Sequence, residues 1–241
     1  MRKAIKNMGN NDIVGIGTDS ASDLRFPRWK RVLDMTCIAI TAPCWLPLML
    51  LVALGIMILS PGPLLFRQER VGYRGRRFIC LKFRSMKVNA ETETHERYLE
   101  QLIQADCPMT KLDTSGDPRM IPFGRILRAT GLDELPQIIN VVRGEMSLVG
   151  PRPCTPKEFE KYSAWHRERF NVPAGLTGYW QVNGKNKTTF SAMVAMDIRY
   201  AKHMSVWLDL WIILKTVPAI IGQVFKSHHS AYSERTKRNC S

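Results

Sequence analysis

Between Met35 and Phe66 the chain carries no charged residue over 32 positions, and Leu, Ile, Met and Ala dominate the run. A helix over Met35–Leu59 would be about 37 Å long, enough to cross a hydrocarbon core of about 30 Å. Pro43 and Pro47 fall in the middle of it, where proline breaks or kinks a helix. Both flanks are basic: Arg25, Arg28, Lys30 and Arg31 precede the run, and Arg67, Arg70, Arg74, Arg76 and Arg77 follow it. Lys and Arg mark the cytoplasmic side of a bilayer, so a spanning helix carries them on one flank. Basic residues on both sides predict a re-entrant helix hairpin over 28–66. Its two arms, each about 18 Å long, would enter one leaflet, turn at the prolines and return. The alternative is a single-pass helix with a kink.

The pattern then changes period. Leu64–Arg67 and Phe78–Phe83 read as strands, with Gly72 and Gly75 in the turn between them, so a β-hairpin is predicted. Lys82 and Arg84 alternate with Leu81 and Phe83, which makes one strand face cationic. Residues 88–111 are polar, with Tyr98, Leu102 and Ile103 at helical spacing and His95 as a surface histidine; a turn-rich loop follows over 110–118. Phe123–Ala129 reads as a short helix carrying Arg125 and Arg128. Further helices are expected over Pro156–Arg169 and Thr188–Lys202, the second bearing Asp197, with a binding-type loop between them around Tyr179 and Trp180. Val206–Phe225 is apolar but contains Asp209 and Lys215, and is interrupted at Pro218. Its Trp207 and Trp211 suit a membrane interface better than a crossing. The fold expected is α+β: mostly helical, monotopic and membrane-associated, with a re-entrant helix hairpin, a small β-hairpin and interfacial amphipathic helices. Its parts are a disordered leader (1–27), the membrane hairpin (28–66), a cytoplasmic catalytic domain (67–225) and a basic disordered tail (226–241).

Charge narrows the partners. A net charge of +14 and a pI near 9.8 call for something anionic: nucleic acid, anionic lipid or a phosphorylated substrate. The membrane segment argues against nucleic acid. The six cysteines form no C-x-x-C pair and read as reduced thiols, not a zinc site. There is no G-x-x-x-x-G-K-[ST] loop and no G-x-G-x-x-G fingerprint.

The candidate chemistry lies in Leu132–Pro153, LDELPQIINVVRGEMSLVGPRP. Asp133 and Glu134 stand just ahead of a short apolar helix whose start is marked by Pro136 and whose end is marked by Gly144. The dyad would sit at the helix N-terminus, where free N–H groups favour anions. Such a helix is about 15 Å long, and an extended run over Met146–Val149 returns about 13 Å. That return brings Arg152, held between Pro151 and Pro153, back beside the dyad. A fixed guanidinium near two carboxylates suits a phosphate. An N-capping Asp with a surface Glu is the ordinary structural reading of the pair.

The segments KRVLD (30–34), FRQERVG (66–72), LKFRSM (81–86), LDELPQ (132–137), SLVGPRP (147–153) and PAGLTGYWQVNGKN (173–186) occur in that order. Together, over about Arg28–Gln223, they resemble the bacterial sugar transferases, the monotopic polyprenyl-phosphate phosphoglycosyl transferases. The resemblance implies transfer of a sugar-1-phosphate from a UDP-sugar to undecaprenyl phosphate, with release of UMP, as the initiating step of exopolysaccharide- or capsule-type synthesis. It implies Asp133 as nucleophile forming a covalent aspartyl-phosphate-sugar. Glu134 is then the partner carboxylate and ligand of Mg2+, and Arg152, Arg128, Arg84 and Lys185 are phosphate-binding residues. Asn183 and Asp197 fall in the nucleotide or sugar region. The place implied is the cytoplasmic face of the bacterial inner membrane, with UDP-sugar, undecaprenyl phosphate and membrane lipid as partners and no nucleic acid. A homodimer is left open. The bend carries Leu46-Pro47 where small members of the family have Ser-Pro, with Pro43 added. An ordinary glycosyltransferase releasing a nucleoside diphosphate and a non-catalytic membrane adaptor are the competing readings. The first lacks its acidic metal motif here, and the second leaves Asp133, Glu134 and Arg152 without a purpose.

Overall fold

The computed structural model describes residues 27–87, 119–184 and 188–238, with side chains to Gly222. The helix expected over 88–111, the loop over 110–118, Lys185 and the leader before Pro27 lie outside the described residues.

Helix α1 is one helical run, Arg28–Leu59, with Pro43 and Pro47 inside it. Around the prolines side chains take up backbone acceptors: the Thr41 hydroxyl donates to the Cys37 carbonyl (2.7 Å) and the Trp45 indole to that of Ile38 (3.1 Å). Both ends of α1 pack on the rest of the protein. Near its start Lys30, Asp34 and Ile38 are buried; near its end Val52 and Ile56 are buried with Phe83, Ile121 and Leu127. Between them Ile40, Leu46, Leu50 and Leu51 are exposed.

The hairpin forms as patterned. Strands β1 (Leu65–Val71) and β2 (Arg77–Phe83) pair antiparallel, from Leu65 opposite Phe83 to Val71 opposite Arg77. The turn is a 3-10 loop, Tyr73–Gly75, in which Gly75 takes φ +75°. Helix α2 (Gly124–Thr130) and helix α3 (Gln137–Arg143) follow, joined by Gly131 at φ +74° and a 3-10 turn, Leu132–Glu134. Strand β3 (Ser147–Val149) pairs parallel with β4 (Gly175–Thr177), Ser147 opposite Gly175. The stretch around Tyr179 and Trp180, expected as a loop, contains β4 and the short helix α6 (Tyr179–Asn183). The charged segment before it is not one helix. It splits into α4 (Pro156–Glu160) and α5 (Ala164–Arg167), each started by its own capping box, Thr155 with Glu158 and Ser163 with His166. Helix α7 (Phe190–His203) is capped by Thr189. Helix α8 (Val206–Arg238) passes through Pro218 and beyond Phe225, so its backbone stays helical where interruption and a disordered tail were expected.

Three polar links, two of them buried, tie α1 to this body. Lys30 Nζ meets Asp209 of α8 at 2.5 Å and the Tyr200 hydroxyl of α7 at 2.9 Å, while Tyr200 donates to Asp209 at 2.6 Å. Asp34 accepts from the Ser147 hydroxyl (3.0 Å) and the Leu148 N–H (3.1 Å) of β3. Arg31 donates to the carbonyls of Val141 and Val142 at the end of α3, where a cation also suits the helix dipole. The element that positions the dyad is therefore docked directly on the apolar helix.

Candidate active site

Asp133 and Glu134 lie in the 3-10 turn between α2 and α3. They are not in the first turn of the α-helix itself, which begins at Gln137 after Pro136. Gly131 closes α2 in the left-handed region, and the Glu134 and Leu135 N–H groups bond back to the carbonyls of Gly131 and Leu132. The tight turn presents both carboxylates on one side. Lys82, on the cationic face of β2, reaches Glu134 at 2.6 Å. The register of β2 against α3 is held by Asn140, which is fully buried. Its side chain accepts from the Leu81 N–H (3.0 Å) and donates to the Ile79 carbonyl (2.7 Å), as a neighbouring strand would.

The chain returns to this turn after β3. Glu134, Lys82 and Arg152 line one cleft, together with Arg70, Gln137 and Gln181, while Asp133 is not among its lining residues. Its floor is backbone packed on backbone. A Cβ on Gly150 would lie 2.1 Å from the Pro173 carbonyl oxygen, and one on Gly175 would lie 2.0 Å from the Gly150 nitrogen. Only glycine allows the Gly150-Pro151-Arg152-Pro153 loop to sit this close to β4. The loop is anchored further by a bridge in which the Val71 N–H donates to Cys154 O at 2.8 Å.

The electrostatics of the cleft follow from this packing. Burial, and then the charge of Glu134, push the Asp133 carboxyl up to about 6, against the pull of Lys82 and Arg128. The Gln181 side-chain oxygen is buried with no hydrogen-bond partner, so an acceptor waits at the cleft wall. Burial pushes the Cys154 thiol up to about 12, which makes it an inert core group.

The remaining predicted site residues are placed differently. Arg128 bears on Asp133 electrostatically and touches the Met86 sulfur at 3.6 Å. Arg84 is buried away from the cleft lining. It clamps the exit of α1, donating to the carbonyls of Ser60 (2.5 Å) and Pro61 (3.0 Å). Asp197 is buried in a 2.6 Å ion pair with Arg169, and Arg169 in turn donates to the Arg152 carbonyl at 3.2 Å. It therefore acts on the Arg152 loop from behind. Asn183 is exposed and donates to the Tyr179 carbonyl at 2.9 Å. Pro43 and Pro47 lie within α1. Arg70, Gln137, Gln181 and Asn140 were not singled out from the sequence. The signal for Asn140 was legible: one amide inside the apolar run of α3 has no reason to be there unless it is bonded.

Among the described residues no group of three or more His, Cys, Asp or Glu side chains is placed to hold a metal ion. The dyad offers two carboxylates, one of them engaged by Lys82. Mg2+ takes one or two carboxylates and fills its shell with water and substrate phosphate, so this donor set fits Mg2+ brought in with a diphosphate.

Asp133 and Glu134 share one turn, Glu134 and Arg152 line one cleft, and the family model for bacterial sugar transferases matches residues 26–223. This chain belongs to the bacterial sugar transferase family. It is 42% identical over 209 residues to the UDP-glucose:undecaprenyl-phosphate glucose-1-phosphate transferase of Caulobacter vibrioides, covering 83% of this chain and 71% of that one. It is 36% identical over 191 residues to the exopolysaccharide production protein ExoY of Sinorhizobium fredii, covering 79% and 84%. Against the galactosyl transferase CpsE of Streptococcus agalactiae serotype III it is 42% identical over 161 residues, which is 66% of this chain but 35% of CpsE. This chain thus spans about a third of CpsE and most of the other two relatives.

Proposed function

We propose that this protein transfers a sugar-1-phosphate from a UDP-sugar to undecaprenyl phosphate and releases UMP, through a covalent aspartyl-phosphate-sugar. The observation that carries the reading is the convergence of Glu134, Lys82 and Arg152 on one cationic cleft, with Asp133 in the same turn as Glu134, in a chain of this family. A carboxylate oxygen of Asp133 attacks the sugar-bearing phosphorus. The bond from that phosphorus to the bridging oxygen breaks, and the oxygen leaves with the electron pair on UMP. An oxygen of the lipid phosphate then attacks the acyl-phosphate and frees the carboxylate. The cations Lys82, Arg128 and Arg152 offset the repulsion between a carboxylate and a dianionic substrate. Lys82 also holds Glu134 beside the nucleophile. With Glu134 as ligand, Mg2+ would add neutralising charge at the diphosphate. Dividing the transfer into two steps lets a soluble donor and a membrane-bound acceptor use one site in turn.

The membrane side of the reading rests on α1 and α8. Exposed Leu50, Leu51, Met57 and Ile58 on the first, and Trp207, Leu214 and Val217 on the second, are surfaces that a bilayer would cover. Both ends of α1 dock on the catalytic body, which supports a re-entrant helix entered from the cytoplasmic face. The relatives' names specify glucose for one and galactose for another, so the sugar is to be found by assay. Purified protein in nanodiscs with undecaprenyl phosphate, Mg2+ and a panel of UDP-sugars should release UMP with one or two donors only, and only with the lipid present for multiple turnovers. EDTA should stop it. Release of UDP would overturn the mechanism.

A further inference from the structure

Arg70 has no part in the reaction as set out above, yet its environment is unusual for an arginine. It is 8% exposed, on β1, and lines the same cleft as Arg152 and Glu134. All of its hydrogen-bond partners are neutral. Nε and Nη2 both donate to the side-chain oxygen of Gln68, at 3.1 and 2.6 Å, and Nη1 donates to the Pro153 carbonyl at 3.4 Å. Gln68 and Arg70 are two residues apart on one strand and so share a face, which is how the first can hold the second by its side edge. A guanidinium has five N–H donors. Three are used, so two remain, one each on Nη1 and Nη2. Unused guanidinium donors of this kind bind phosphate.

Nor does the surrounding charge compensate it. Arg152, whose side chain has no hydrogen-bond or ion-pair partner among the described residues, bears on Arg70 more strongly than Glu158 does. Glu158 itself spends an oxygen capping α4 through the Thr155 N–H. The carboxylate that lines the cleft, Glu134, is paired with Lys82. Two guanidiniums therefore line one cleft, and neither is ion-paired with a carboxylate among the described residues. Buried cations are retained at this cost where a ligand supplies the counter-charge.

We propose that Arg70, oriented by Gln68, binds the phosphate of the departing nucleoside monophosphate and is a catalytic residue of the first transfer step. The inference rests on the phosphoglycosyl reading of this site. When the bridging P–O bond breaks, its electron pair stays on the oxygen of the nucleotide phosphate, and negative charge grows there. Arg70 supplies donors where that charge develops, with no reorganisation because Gln68 already fixes the plane of the guanidinium. Arg152 and Lys82 are left to the phosphoryl group that Asp133 receives.

The test compares wild type, Arg70→Met and Arg70→Lys in nanodiscs. UMP, uridine and inorganic phosphate serve as calorimetric probes, and UMP release is followed in a single turnover. Arg70→Met should weaken UMP at least about tenfold while leaving uridine unchanged, and should slow the UMP-releasing step about 100-fold. Arg70→Lys, which keeps the charge but loses the guanidinium donors, should recover only part of each loss. A purely structural role would weaken UMP and uridine alike. Should Arg70→Met fail to fold, wild-type UMP affinity and rate in Arg70→Lys would overturn the proposal, as they would in a folded Arg70→Met. Absence of UMP release by wild type from every donor is a different failure, that of the phosphoglycosyl reading itself.

Discussion

Asp133 has to carry a charge in a place that penalises it. Its carboxyl, pushed up to about 6 by burial and Glu134, is the acid form below that pH and the nucleophile above it. Single-turnover UMP release should therefore fall about tenfold per pH unit below about 6. Lys82 opposes the upward shift, so Lys82→Met should move this limb to higher pH as well as slow the reaction. A profile that stays flat down to about pH 5 would contradict the assignment of the nucleophile. The same shift has a stability consequence. A carboxyl whose folded value lies above the unfolded 3.8 makes the folded state pay once both forms are ionised. The penalty is complete above about pH 6 and is relieved as pH falls from there toward the unfolded value. Asp133→Asn removes it. At pH 7.5 that variant should melt higher, by an amount on the order of 1–3 kcal/mol, and release no UMP. Loss of activity together with loss of stability would instead mark Asp133 as structural.

One scale up, the site depends on how α3 meets β2, and a single side chain makes that joint. Asn140→Leu would leave the Leu81 N–H and the Ile79 carbonyl buried without partners, at about 1–3 kcal/mol each. The melting temperature should drop. Any folded fraction should lose rate through separation of Lys82 from Glu134, with little change in uridine binding. Wild-type melting and rate in this variant would show that the joint does not matter. Elements with punctuation were legible in advance: the hairpin from Gly72 and Gly75, the end of α3 from Gly144, the return over Ser147–Val149. The parallel β3–β4 pair was not, because three-residue strands carry no periodicity and their partner lies far along the chain. Pro43 and Pro218 promised breaks, but α1 and α8 remain helical through them. Motif position also did not reveal the partners of two residues. Arg84 and Asp197 fall in the right segments, yet strand alternation and helix packing turn Arg84 to the carbonyls after α1 and Asp197 to Arg169. Which face a polar residue takes is decided by partners more than 20 residues away in both cases.

For the molecule as a whole the question is where α1 goes. It is the one described helix long and apolar enough to cross a membrane, and most of its middle is exposed while both ends are docked. Lys30 and Asp34 are locked to α8, α7 and β3 at one end, and Ser60 and Pro61 are clamped by Arg84 at the other. A helix that crossed to the far side would carry one of these anchors out of reach of the domain that holds it. Breaking Lys30–Asp209 would leave a buried charge unpaired at about 3–5 kcal/mol, a cost no exposed crossing helix would recover. The anchors and the basic flanks lead to the prediction that α1 enters and leaves on one face. Single cysteines at Arg28 and at the exposed Pro63, in a background with the native cysteines replaced, test this in intact cells with a membrane-impermeant maleimide. Neither position should label until the inner membrane is permeabilised, and then both should. Labelling of Pro63→Cys from outside, with Arg28→Cys protected, would mean that α1 spans the bilayer and that its C-terminal docking is not kept in the membrane.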